Sequence, residues 1–218
     1  MDRQLSQAFG VNRLRQRIPP GPGPHPVLLL IHGWTGDEHS MDIFTPRLPG
    51  EALLILPRGL YAAPMGGYSW QPHQEVKWAS ITDFQPAVEA LMDLLDPLNF
   101  PTADFTRLSL VGFSQGAALA YAFTLLYPER VIALAALAGF MPEGAANFVQ
   151  SKNLDLQGKP IFVSHGTRDE MVPIHRARDA VALFEQAGAR VSYCESEVGH
   201  KLSADCFGGL REFVIRYF

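Results

Sequence analysis

The sequence predicts an α/β fold: a mostly parallel, doubly wound sheet with helices on both faces. Three observations carry that expectation. Short apolar runs recur along the 218 residues, segments of helical length lie between them, and a Gly-x-Ser-x-Gly pentapeptide, Gly112-Phe113-Ser114-Gln115-Gly116, joins one run to a helical stretch. Runs that are apolar at consecutive positions suit strands buried on both faces, as in a parallel sheet covered by crossover helices. Strand and helix in regular alternation then give a layered α/β architecture.

The elements follow in order. Residues 1–26 are expected to be irregular or to supply an edge strand within 5–18. The stretch Pro19-Pro20-Gly21-Pro22-Gly23-Pro24 cannot lie inside a helix or a central strand. Strands are expected at 27–31, 52–56, 108–111, 131–138, 161–164 and 191–194, and helices at 82–96, 115–127, 174–187 and 203–217. The third helix starts after Pro173, carries Val181, Leu183 and Phe184 on its apolar side, and ends at Gly188. Residues 57–80 and 139–158 read as long loops. Each follows a strand, which puts it at the carboxyl edge of the sheet, where open α/β folds bind ligands. No internal repeat or composition break divides the chain, so a single domain over 1–218 is expected.

Composition excludes several function classes. With 18 basic and 22 acidic residues the formal net charge is -4, which leaves no electrostatic footprint for nucleic acid. The local cluster Arg13, Arg15 and Arg17 reads as a solvated edge. No apolar run is long enough to span a bilayer, and the start of the chain is polar rather than signal-like. The cytoplasm is therefore the expected location. Cys194 and Cys206 are expected to be two buried thiols rather than a disulfide.

The pentapeptide supplies the chemistry. Between a strand and a helix it forms a nucleophile elbow, whose turn is so sharp that Ser114 takes a strained conformation and presents Oγ at the sheet edge. Side chains at 112 and 116 would meet the neighbouring strand or helix. A serine hydroxyl needs a base, and the base needs an orienting acid; in folds that carry this elbow they follow in the chain order Ser, acid, His. That order removes His25, His32, His39 and His73. His165 ends a strand and reads as a packed structural residue, and His175 lies in a first helical turn. His200, between the last strand and the last helix, is the candidate base. Asp169 and Glu170, after the strand at 161–164, are both candidate acids. An oxyanion would be met by the N–H of Gln115, at the start of a helix, and by that of Trp34, in His32-Gly33-Trp34 after the first strand. Met65, Tyr68, Trp70, Phe140 and Met141, from the two long loops, are candidates to line the substrate pocket.

On these residues the chain resembles the phospholipase/carboxylesterase family of α/β-hydrolases, which includes bacterial carboxylesterases and acyl-protein thioesterases. The matching pieces are Leu30-Ile31-His32-Gly33, Pro57-Arg58-Gly59, the pentapeptide, Gly139-Phe140-Met141-Pro142, His165-Gly166-Thr167-Arg168-Asp169, Val172-Pro173 and Gly199-His200. The resemblance implies an α/β-hydrolase fold without a large cap domain. It selects Asp169 over Glu170 as the acid and supports Trp34 and Gln115 as oxyanion donors. Trp34 stands where relatives often carry leucine or phenylalanine, and its ring would narrow the acyl pocket. The implied activity is hydrolysis of a small-molecule ester through an acyl-enzyme, with no metal or cofactor. Thioesterase, lysophospholipase, peptidase and dienelactone-type chemistry on the same fold are the rivals, and a non-catalytic ligand receptor is the remote one. A homodimer is compatible with everything in the sequence.

Overall fold

The computed structural model describes residues 13–72 and 78–218. The polar start of the chain, most of the interval expected to hold an edge strand, and residues 73–77 of the loop 57–80 lie outside the described residues. In chain order the elements are β1 (Leu14–Arg17), β2 (His25–Ile31), β3 (Leu53–Pro57), β4 (Tyr61–Ala62), β5 (Tyr68–Ser69) and α1 (Ile81–Leu94). They continue through β6 (Ala103–Phe113), α2 (Gln115–Leu126), β7 (Ala133–Leu137), α3 (Ala145–Lys152), β8 (Pro160–Gly166), α4 (Ile174–Gln186), β9 (Arg190–Ser196) and α5 (Ala204–Tyr217).

Seven strands form one sheet in the order β1-β3-β2-β6-β7-β8-β9, and β4 pairs with β5 in a small hairpin. Only β1 is antiparallel to its neighbour, with Leu14 opposite Pro57 and Arg17 opposite Leu54. The proline-rich stretch that follows β1 thus leaves it at the sheet edge, where its unpaired side costs least. The central strands are covered on both faces. Every residue of β2, β3 and β7 is buried, and successive residues serve opposite layers. Leu29, Ile31 and Ile55 pack beneath α1, α2 and α4, whereas Leu28, Leu30 and Leu54 pack against α5 and the segment around Met41 and Phe44. Each such buried aliphatic side chain contributes about 1.5–3 kcal/mol.

Helix α2 is the innermost. Every residue from Gln115 to Leu125 is buried, so it is apolar all round rather than on one stripe. Its neighbour α1 begins with a capping box in which the Ser80 side chain accepts from the Asp83 N–H and the Asp83 carboxylate accepts from the Ser80 N–H. Both expected loops hold short elements: the β4-β5 hairpin lies within 57–80 and α3 within 139–158. Helix α3 has eight residues, no side-chain cap, and Gly144 in the left-handed region at its start. Only Ala145 and Val149, one turn apart, are buried, and two positions are too few to make a periodicity visible in sequence.

The two cysteines are the correction. Cys194 at the end of β9 and Cys206 in the first turn of α5 form a disulfide, with Cα atoms 5.6 Å apart, within the span a disulfide bridges. Sequence spacing could not show this, because the approach depends on how α5 folds back over β9.

Candidate active site

Strand β6 ends at Phe113, and the chain turns into α2 through Ser114 with φ 55° and ψ -118°. An L-residue avoids this region unless its surroundings impose it. Here the Ser114 N–H donates to the Leu137 carbonyl at 2.8 Å, while its own carbonyl accepts from the amides of Ala117 and Ala118. The flanking glycines are demanded by contact. A Cβ at Gly112 would lie 2.4 Å from the Gly116 carbonyl oxygen, and one at Gly116 would lie 2.2 Å from that of Ile31. The elbow is therefore wedged between β2 and its own helix.

His200, in the loop between β9 and α5, reaches Ser114 with Nε2 2.9 Å from Oγ. Its Nδ1 lies 2.6 Å from Asp169 Oδ2. With Nδ1–H donating to the carboxylate, Nε2 is left to accept the serine proton. Asp169 is fixed in turn, since its Oδ1 accepts from the N–H groups of Met171 and Val172, each at 2.9 Å. The Phe113 ring packs against the imidazole, with centroids 5.1 Å apart. Glu170, the other candidate acid, is exposed.

His165 has a more specific place than a packed core histidine. Its side chain is wholly buried, Nε2 donates to the Val172 carbonyl at 2.7 Å, and the same nitrogen lies 3.3 Å from Asp169 Oδ2. Burial holds its pKa below the usual value, against the raising effect of the Val172 hydrogen bond and of Asp169.

The turn after β2 carries Trp34. His32 organises it while fully buried. Nδ1–H donates to the Gly33 carbonyl at 2.7 Å, and Nε2 accepts from the Gly59 N–H at 2.9 Å. This pattern requires a neutral ring, and burial lowers its pKa accordingly. The β4-β5 hairpin braces the same turn. Thr35 N–H donates to the Tyr68 carbonyl and Tyr68 N–H to that of Gly36, at 2.9 and 2.8 Å. Gly67, at φ +70°, passes so close that a Cβ there would meet the Thr35 oxygen at 1.9 Å. Beyond it, Arg58 grips Glu38 with two bonds of 2.6 Å and lies over the Tyr68 ring, 4.3 Å from its centroid. Burial raises the Glu38 pKa, but the Arg58 hydrogen bond and charge outweigh it and hold the group below the usual carboxylate range.

Among the described residues, neither the Trp34 nor the Gln115 amide is spent on a protein acceptor. The Gln115 amide directly follows the serine, and the turn that carries Trp34 passes it at Gly33, where an added Cβ would lie 3.2 Å from Ser114 Cβ. The Gln115 side chain has a separate task that sequence reasoning missed: Oε1 accepts from the Trp70 N–H at 3.0 Å, and Nε2 donates to Ser69 Oγ at 3.1 Å.

The five pocket candidates divide. Trp70 has no exposed surface, and its indole N–H donates to the His32 carbonyl at 2.8 Å, so it braces the turn from inside. Tyr68 is engaged with Arg58, its hydroxyl accepting at 3.0 Å. Met65 is 81% exposed at the hairpin tip. Phe140 and Met141 are buried to 7% exposure, and Phe140 packs on Trp78 with centroids 4.9 Å apart. The Glu38–Arg58 clamp, the His165 bond and the bridge at Cys194 went unread because no chain order or local pattern marks their partners, which only the packing of the turns brings together. Pro57-Arg58-Gly59 was the one visible signal.

A serine in a forbidden backbone conformation, in hydrogen-bonded line with a histidine and a buried aspartate at one edge of a mostly parallel sheet, defines an α/β-hydrolase. The family model described as Phospholipase/Carboxylesterase matches residues 17–217. The chain belongs to that family.

Among relatives, acyl-protein thioesterase 1 of Kluyveromyces lactis is 39% identical over 80 residues, 35% of this chain and 34% of that protein. Carboxylesterase SOBER1 of Arabidopsis thaliana is 29% identical over 136 residues, 61% of this chain and 59% of that one. The matched stretches thus span from a third to about three fifths of these relatives. The crystal structure of a carboxylesterase from Mesorhizobium loti superposes with a TM-score of 0.81 at 19% identity, covering 98% of both chains, which establishes a shared fold.

Proposed function

We propose that this protein is a serine carboxylesterase for small esters with short to medium acyl chains, acting through an acyl-enzyme. The observation that carries this reading is the unbroken line from Ser114 Oγ through His200 to Asp169, with links of 2.9 and 2.6 Å. Ser114 Oγ attacks the ester carbonyl as His200 Nε2 takes its proton, and the amides of Trp34 and Gln115 receive the oxyanion. Collapse expels the alcohol, protonated by His200, and leaves the acyl group on Ser114. Water, deprotonated by His200, then releases the acid and restores the serine. Trp34, 40% exposed at the mouth, would limit acyl length.

Ser114→Ala should reduce hydrolysis of p-nitrophenyl butyrate to the uncatalysed rate while leaving the melting temperature in place. A fluorophosphonate should label the native protein at Ser114. Turnover retained by the alanine variant would defeat the assignment. The thioesterase name of the Kluyveromyces relative supports one rival, cleavage of an acyl thioester by the same residues. Comparing kcat/KM for matched butyryl ester and thioester substrates separates the two.

A further inference from the structure

The loop that carries His200 is closed on itself by the disulfide. Cys194 and Cys206 are 12 positions apart, so the ring they close spans thirteen residues, 194–206, and His200 is its midpoint. The two arms of this loop are held differently. On the arm before His200, backbone bonds tie the chain to the turn after β8: Thr167 N–H donates to the Ser196 carbonyl at 2.8 Å and Arg168 N–H to that of Val198 at 3.0 Å. On the arm after His200, the backbone bonds are local, from Lys201 N–H to the Gly199 carbonyl at 2.7 Å and from Phe207 N–H to the Ser203 carbonyl at 2.9 Å. Its ties to β9 are side-chain ties: a 2.6 Å hydrogen bond between the Ser196 and Ser203 hydroxyls and the Cys194–Cys206 bridge. Ser203 also caps α5, accepting from the Cys206 N–H at 3.1 Å. Leu202 adds partial apolar packing.

We propose that the Cys194–Cys206 bridge is a positioning element for His200, so that opening it slows the chemical step while ester binding stays nearly intact. This inference rests on the hydrolase reading above. The bridge anchors the start of α5 against the end of β9 and so fixes the span across which the His200 loop is stretched. The two loops that this reading assigns to the pocket are held by other partners, Trp70 N–H by Gln115 and Glu143 N–H by the Ala79 carbonyl, which predicts an effect on kcat rather than on KM. Misplacement of a reacting group by about 1 Å costs on the order of a hundredfold in rate. A smaller displacement of a still-attached histidine should cost about tenfold.

The opening step is thiol–disulfide exchange with a dithiol. One thiolate of the reductant attacks Cys194 Sγ, the more accessible sulfur since Cys206 is 1% exposed, and the S–S bond breaks with Cys206 leaving as thiolate. The reductant's second thiol then displaces Cys194. The products are two cysteine thiols and the oxidised reductant, with two electrons and two protons transferred. The esterase would then be fully active with the bridge closed and slow in a thiol-reducing compartment.

The test compares oxidised protein, protein reduced with dithiothreitol (verified by a mass gain of about two hydrogens, one per thiol) and the C194S/C206S variant. Kinetics use p-nitrophenyl butyrate, with fluorophosphonate labelling rates at Ser114 and hydrogen exchange across 197–203. The expected result is a kcat and labelling rate about tenfold lower in both opened forms, with KM within about twofold and faster exchange in the loop. Reoxidation restores the native protein and not the variant. A lower melting temperature with unchanged kcat and unchanged exchange would make the bridge a stability staple only and overturn the proposal. If the variant does not fold, the reduced native protein carries the same comparison. Should the oxidised protein neither turn over nor label, the hydrolase reading fails, and hydrogen exchange alone decides whether the bridge holds the loop.

Discussion

Acidification should unfold this protein earlier than its carboxylates alone would allow, because two buried histidines must stay neutral. His32 uses one ring nitrogen as donor and the other as acceptor, and His165 is enclosed with Nδ1 unpartnered. Burial lowers both pKa values from about 6.5. His32 faces Asp37, Glu38 and Arg58, and His165 faces Asp169, His200 and Glu195; these neighbours do not overcome burial. Since the unfolded chain binds protons that the folded one refuses, stability is complete above pH 6.5. It is lost as pH falls from 6.5 toward the folded-state pKa values. Each histidine adds a slope approaching about 1.4 kcal/mol per pH unit, and the two together about 2.7. That is a large fraction of a typical 5–15 kcal/mol. Glu38 and Asp37, held below the ordinary carboxylate range, act only at lower pH. Urea unfolding between pH 7.5 and 5 measures the slope. His165→Gln, which keeps a donor at the Nε2 position, should remove about half of it. An unfolding free energy that is flat across this range, or a slope unchanged in that variant, would refute the reasoning.

Two further outcomes follow from close contacts. Gly116→Ala forces a Cβ to 2.2 Å from the Ile31 oxygen and 2.4 Å from that of His32. It should cost about 1–3 kcal/mol in thermal or urea unfolding and lower kcat by displacing the turn that carries Trp34. Arg58→Met strands Glu38, whose side chain is 3% exposed, and should cost about 3–5 kcal/mol. Arg58→Met/Glu38→Leu should recover much of that loss, which a double-mutant cycle reads directly.

What was legible in advance was whatever a local pattern or a known chain order carries. The strands at 27–31 and 52–56 announced themselves because each is apolar at every position, as a strand covered on both faces tends to be. The elbow was legible because its pentapeptide pattern is contiguous in the chain, although Gly116 answers to the distant Ile31 and His32 carbonyls. Chain order then placed Asp169 and His200. By contrast, α3 escaped because only two of its residues are buried. Trp70 looked like a pocket aromatic because sequence cannot say which way an indole faces; in the fold it is an internal brace bonded to His32.

By itself, then, the sequence determined the layered sheet, the strained Ser114 and the order of its candidate partners. Period, turn sterics and chain order act between near neighbours or along the whole chain. Tertiary structure alone decided that Arg58 clamps Glu38, that Gln115 anchors the hairpin with its side chain, and that Cys194 meets Cys206 around His200. Each of those contacts exists only because separate elements pack against one sheet, at distances no spacing in the chain encodes.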